Sequence, residues 1–119
     1  MNISESESRV MEVLWREHPL TSSEVVERVA PGENWSPKTV RTLLTRLTEK
    51  GALAREPEGR TYRFRPLIER EDWLREKAGQ LVNQHLDGRL APLVAAFAER
   101  EGLSEADREE IRSLLEKLK

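Results

Sequence analysis

Ser36-Pro37-Lys38-Thr39-Val40-Arg41-Thr42-Leu43-Leu44-Thr45-Arg46-Leu47-Thr48-Glu49-Lys50-Gly51 opens and closes like a helix. Serine before proline supplies an N-cap followed by a residue whose missing N–H costs nothing at the first helical position. Gly51 supplies a left-handed terminator, and the basic Lys50 just before it suits the negative end of the helix dipole. The spacing therefore predicts a helix from Pro37 to about Lys50. Val40, Leu43, Leu44 and Leu47 share one face and must pack inward. Lys38, Arg41, Thr42 and Thr45 fall on the opposite face, flanked by Thr39 and Arg46, so the exposed side is cationic and hydroxylic. Side chains of these types hydrogen-bond guanine, touch the thymine methyl or hold phosphates, which is what a helix lying in the major groove needs.

Downstream of Gly51 the periodicity changes from helical to alternating. Leu53-Ala54-Arg55-Glu56, a turn at Pro57-Glu58-Gly59 and Thr61-Tyr62-Arg63-Phe64-Arg65 read as a hairpin closed by Pro66. Tyr62 and Phe64 lie on one strand face and are expected in the core beneath it. Arg60, Arg63 and Arg65 extend the positive field of the helix, and Gly59 permits a tight tip. Upstream, Ser4-Glu5-Ser6-Glu7 fits a capping box for a helix from Glu5 to Arg16, with a stripe of Val10, Met11, Leu14 and Trp15 and a stop at His18-Pro19. Thr21-Ser22-Ser23-Glu24 is a second capping box, opening a short helix through Val25, Val26 and Val29 that stops at Pro31-Gly32. Three short helices, the third basic, followed directly by a basic hairpin, have the order of a winged helix-turn-helix. The expected class is mainly α with a small β wing, the DNA-binding domain occupying residues 1–67.

Residues 68–119 read as helices alone. One runs from Glu69 to about Leu86 with a stripe of Leu74, Ala78, Leu81, Val82 and Leu86, and breaks near Asp87-Gly88. Leu90, Leu93, Val94 and Phe97 mark the apolar face of a second, from around Pro92 to Gly102. Ser104 caps the last, on which Ile111, Leu114, Leu115 and Leu118 form the stripe. About 52 residues of amphipathic helix are too few to bury a self-sufficient core. A dimerisation lobe follows, with Leu74, Leu81, Leu93, Phe97, Ile111, Leu114, Leu115 and Leu118 as its candidate contacts. A symmetric dimer would present two reading helices to an inverted-repeat operator.

Composition narrows the function classes. The chain has 119 residues, which excludes a large enzyme, and a net charge of −2, which by itself argues against a generic nucleic-acid binder. The charge is uneven. Between Ser36 and Arg65 eight basic residues face three acidic ones, a local net of +5 where an anionic partner would dock. The sequence contains no cysteine, so disulfides, thiolate metal sites and thiol switches are excluded. His18 and His85 stand far apart and outside any metal-ligand spacing, and no glycine-rich phosphate loop occurs. No catalytic residue, metal or cofactor is therefore expected. The start lacks a basic, apolar secretion signal and no apolar run reaches about 18 residues, so a cytoplasmic chain without membrane contact is expected.

Thr39-Val40-Arg41-Thr42-Leu43-Leu44-Thr45-Arg46-Leu47, Lys50-Gly51-Ala52-Leu53 and Glu58-Gly59-Arg60-Thr61-Tyr62-Arg63-Phe64-Arg65-Pro66 together resemble the penicillinase-repressor group of bacterial transcription regulators, the BlaI, MecI and CopY type. The resemblance extends to Ile3-Ser4-Glu5, to Val13-Leu14-Trp15 and to Leu93-Val94-Ala95-Ala96-Phe97 before the final helix. It implies a homodimeric winged-helix repressor of a double-stranded DNA operator. By position it makes Lys38, Thr39, Arg41, Thr42 and Arg46 recognition-helix contacts, and Arg60, Tyr62 and Arg63 wing contacts; Thr45 joins them from the helical spacing. Two departures stand out. The copper-responsive branch carries a C-terminal cysteine cluster that is missing here, which argues against copper sensing. The antibiotic-responsive branch is inactivated by a membrane sensor protease at an Asn-Phe bond, matched here by Ala96-Phe97, the candidate cleavage site. The competing reading is a winged-helix protein-interaction adaptor. An adaptor would not need Lys38, Arg41, Arg46, Arg60 and Arg63 on one surface.

Overall fold

The computed structural model describes residues 1–29, 32–100 and 102–118. Its elements run α1 (Glu5–Arg16), β1 (Leu20–Thr21), α2 (Ser22–Val29), α3 (Pro37–Glu49), β2 (Leu53–Glu58), β3 (Thr61–Pro66), α4 (Arg70–His85), α5 (Ala91–Arg100) and α6 (Glu105–Lys117). The chain divides into two compact units, Met1–Arg75 and Glu76–Lys119.

Local capping explains where the first unit's helices start. The Ser4 hydroxyl accepts from the Glu7 amide at 3.1 Å while the Glu7 carboxylate accepts from the Ser4 amide at 2.8 Å, so both halves of the first capping box form. Thr21 and Glu24 make the same reciprocal pair at 3.2 and 2.9 Å. The Thr21 backbone and hydroxyl donors hold the Glu24 carboxyl below its ordinary value. The expected stop of α2 at Pro31-Gly32 falls partly outside the described residues; Gly32 donates back to the Val29 carbonyl at 3.1 Å.

Three helices and a three-stranded antiparallel sheet of order β1-β3-β2 surround one core. Val10, Met11 and Leu14 of α1, Val25 and Val29 of α2, Val40, Leu43, Leu44 and Leu47 of α3, and Leu53 and Phe64 of the sheet are buried in it. Each such large aliphatic contributes roughly 1.5–3 kcal/mol by leaving water. This is a winged helix-turn-helix. The strand β1 was not expected: two residues long, it lies beside β3 with Leu20 opposite Phe64 and Thr21 opposite Arg63.

The hairpin differs from the expected one in two ways. Pro57 and Glu58 do not form its turn; they belong to β2, paired with Tyr62 and Thr61, and Gly59-Arg60 make the tip. Proline is tolerated because β2 is an edge strand, and Gly59 takes the positive φ of +61° that a two-residue turn requires. Tyr62 is not in the core. Phe64 is 8% exposed, Tyr62 41%. Two residues nearer the tip, the tyrosine borders an open cleft beside α3 and is not enclosed by the packed core.

The first unit continues past residue 67, the boundary expected from the order of helices and hairpin, to Arg75. The Trp15 indole donates to the Ile68 carbonyl at 2.9 Å, its ring lies 5.4 Å from that of Trp73, and Arg70 Nε reaches both carboxylate oxygens of Glu12 at 3.0 and 3.1 Å. The first turn of α4 is thus bound to α1.

In the second unit, α5 and α6 and the remainder of α4 contain no buried residue. The expected break after α4 occurs at Asp87 and Gly88, both with positive φ. Ser104 caps α6 by accepting from the Asp107 amide at 3.0 Å. Of the expected dimerisation contacts, Ile111 is half-buried, whereas Leu74, Leu81, Leu93, Phe97, Leu114, Leu115 and Leu118 are exposed.

Candidate nucleic-acid interface

Helix α3 is positioned from both ends. Ser36 caps its first turn by accepting from the Thr39 amide at 3.2 Å. At its other end Lys50, the C-cap, donates to the Asn2 carbonyl at 2.8 Å and pairs with the buried Glu7 of α1. Gly51 then reverses the chain with φ +84°. Burial raises the Glu7 carboxyl, but the Lys50 ammonium and the Ser4 backbone and hydroxyl donors outweigh it and hold the group below its ordinary value. Four core residues on the inner face fix the rotation of the helix, so the outward set is determined.

That outward set contains Lys38, Thr39, Arg41, Thr42, Thr45 and Arg46, all exposed. Five of them, with Glu49, line a shallow groove of about 430 Å³ along the helix. The three threonines differ in what they can still offer. The Thr39 hydroxyl lies 3.1 Å from the Ser36 hydroxyl and that of Thr42 donates to the Lys38 carbonyl at 3.0 Å, whereas Thr45 keeps its donor free among the described residues. Thr42 therefore presents acceptor lone pairs and a methyl, Thr45 a full hydroxyl.

The eight cations between Ser36 and Arg65 sort into two groups. Lys50 is bound to Glu7, Arg63 to Glu58 across the hairpin, and Arg65 to Glu56 at 3.0 Å. Among the described residues Lys38, Arg41, Arg46, Arg55 and Arg60 have no carboxylate partner. The uncompensated charge therefore lies on α3 and on the hairpin side nearest it. A second cleft of about 210 Å³ runs between α3 and the hairpin, bordered by Ser22, Arg41, Thr45, Arg55, Arg60 and Tyr62.

Sequence reasoning placed Arg60, Tyr62 and Arg63 together. The structure brings Arg60 and Tyr62 to the cleft and leaves Arg63 in its ion pair. It adds Arg55 and Ser22, which the reading of the sequence passed over. Strand register was the available signal for Arg55: it stands opposite Phe64 and so shares a sheet face with Tyr62. His18 Nδ1 lies 2.7 Å from the Leu14 carbonyl at the end of α1, and His85 is exposed on α4.

Known proteins resemble this chain in sequence and fold. The family described as penicillinase repressor matches residues 3–117. The penicillinase repressor of Bacillus licheniformis is 35% identical over 117 residues, covering 98% of this chain and 91% of that protein. The methicillin resistance regulatory protein MecI of Staphylococcus aureus (strain N315) is 33% identical over 115 residues, covering 97% and 94%. The solution structure of monomeric Bacillus licheniformis BlaI in complex with the blaP half-operator is similar with a TM-score of 0.53 and 39% identity, over 60% of this chain and 88% of that one. With the fold, the near full-length match and these identities in agreement, the chain belongs to the penicillinase repressor family.

Proposed function

We propose that this chain represses transcription as a homodimer that binds an inverted-repeat DNA operator, inserting α3 into the major groove of each half-site. The observation that carries the reading is the outer face of α3, where Lys38, Arg41 and Arg46 have no carboxylate partner among the described residues and Thr42 and Thr45 stand between them. Arg41, near the middle of the face, is placed to take a guanine edge in two hydrogen bonds; Lys38 and Arg46 flank it and hold phosphates. Arg60 at the wing tip adds a backbone contact. Thr39, tied to its cap, positions the helix start. In this reading the protein is a cytoplasmic binder and not an enzyme. No helix among the described residues is long and apolar enough to cross a membrane.

Dimerisation is assigned to residues 68–119. Leu81, Leu93, Phe97, Leu114, Leu115 and Leu118 are more than a third exposed in the single chain, an apolar surface that a second copy would cover. Release from DNA is assigned to proteolysis between Ala96 and Phe97. Phe97 is 52% exposed on α5, and local opening of that helix would admit a sensor protease. A cut there detaches α6 and its leucines while leaving Lys38 and Arg41 untouched.

Selection of bound fragments from random duplexes tests DNA binding, dimer symmetry and half-site spacing together. An inverted repeat should be recovered, and roughly six to ten phosphate contacts per dimer should give a log–log salt slope of about −5 to −9. Arg41→Ala should relax base choice at one position of each half-site, a loss of about 1–3 kcal/mol. Equal affinity for random DNA at about 150 mM salt would refute the repressor reading.

A further inference from the structure

We propose that the cleft between α3 and the wing seats one phosphate of the DNA backbone, and that Arg55, stacked on Tyr62, makes a phosphate contact from the wing beside Arg60, in place of Arg63. The assignment rests on the DNA-binding reading above and goes beyond it by naming the residue and the group it holds.

Strand register divides the hairpin into two unlike faces. Directly opposed residues share a face, so Arg55 with Phe64 and Pro57 with Tyr62 lie on one side, and Glu56 with Arg63 and Glu58 with Thr61 on the other. Phe64 is buried in the core, which makes the first side the one turned toward the helices. The far side cancels its own charge through the diagonal pairs Arg63–Glu58 and Arg65–Glu56. A phosphate approaching Arg63 would compete with a carboxylate already in place.

The near side is the reverse. Among the described residues, three guanidinium groups, of Arg41, Arg55 and Arg60, border the cleft, and no carboxylate does. Like charges gathered without a counter-ion repel, and a phosphodiester relieves that repulsion while supplying acceptor oxygens that suit the planar guanidinium fork. Hydroxyls of Ser22 and Thr45 stand in the same lining as further donors. The Arg55 guanidinium lies 4.6 Å from the centroid of the Tyr62 ring, a cation–π contact that orders the side chain before any ligand arrives. This also gives the exposed Tyr62 a purpose that packing does not. Arg41 and Thr45 belong to both the cleft and the groove along α3, so a duplex read by α3 runs its backbone through the cleft.

The test compares R55Q, R55K and the charge-neutral double variant E58Q/R63Q with the parent, by fluorescence anisotropy on the selected duplex between 50 and 200 mM salt. Loss of one phosphate contact lowers the salt slope by about one per subunit and the affinity by roughly tenfold per subunit near 0.1 M salt. R55Q should show this, R55K should keep the slope, and E58Q/R63Q should match the parent. Arg55 is exposed, so far-UV circular dichroism should be unchanged in R55Q. Duplexes with single uncharged methylphosphonate linkages locate the contact, since one position should weaken the parent and leave R55Q indifferent. A parent-like slope in R55Q, or loss of slope in E58Q/R63Q, overturns the assignment alone. Failure of the parent to bind any duplex at 50 mM salt overturns the assignment together with the DNA-binding reading.

Discussion

Replacing Lys50 by methionine tests the link that holds the end of α3 to α1. Glu7 is 2% exposed, and one of its oxygens accepts from the Ser4 amide and from Lys50, while the buried Oε2 has no hydrogen-bond partner among the described residues. Methionine keeps the apolar stem of lysine and removes the charge, leaving a buried carboxylate uncompensated. Breaking a fully buried pair in this way costs about 3–5 kcal/mol. The Lys50 side chain is 36% exposed, so water screens part of the interaction and about 2–3 kcal/mol is the expected loss at pH 7. The sign with pH follows from linkage. In the parent the Glu7 pKa lies below its ordinary value of 4.5, so its contribution is fully present above that value and is lost as pH falls through the lower folded value. In Lys50→Met burial is opposed by the Ser4 donors alone, so the Glu7 pKa rises from its place in the parent and the folded variant takes up its proton at higher pH than the folded parent does. The deficit of the variant should therefore shrink as pH falls from 7 into the range where the variant's Glu7 takes up its proton. Urea unfolding followed by the fluorescence of Trp15, Trp35 and Trp73 reads the unit concerned, since all three lie within Met1–Arg75. A difference below about 0.5 kcal/mol at pH 7, or one that does not change with pH, would refute the reasoning.

Three further expectations follow from the same contacts. A chain stopped at Pro66 loses the acceptor of the Trp15 indole, the Trp73 ring and the Arg70–Glu12 pair, and should unfold about 2 kcal/mol more easily than one stopped at Arg75; equal urea midpoints would contradict the binding of α4 to α1. Leu115→Asp places a charge on the exposed apolar face of α6 and should yield monomers in sedimentation, at a cost of several kcal/mol to association; an intact dimer would move the interface elsewhere. Gly51→Ala should cost about 1–2 kcal/mol, because φ +84° is strained for any residue with a Cβ although nothing lies within 4 Å of the added carbon; a neutral result in thermal melts would show that the turn relaxes.

Much of this molecule is legible from neighbouring residues because the forces concerned act over one or two helical turns. Ser4 with Glu7, Thr21 with Glu24, Ser36 with Thr39 and Ser104 with Asp107 start their helices through hydrogen bonds three residues apart. Helical spacing alone separates Val40, Leu43, Leu44 and Leu47 from Lys38, Arg41, Thr42 and Thr45, so the candidate reading face is legible in the sequence itself. Tertiary structure decided which charges remain available. Formal charge assigns Arg55, Arg60, Arg63 and Arg65 the same value, but the register of β2 against β3 matches Arg63 and Arg65 with glutamates and leaves Arg55 on the helix side with Tyr62. A shift of one residue in that register would exchange the two faces. The same holds for Lys50 with Glu7 and Trp15 with Trp73, partners 43 and 58 positions apart in the chain. Their meeting depends on how the helices pack, which no local pattern encodes.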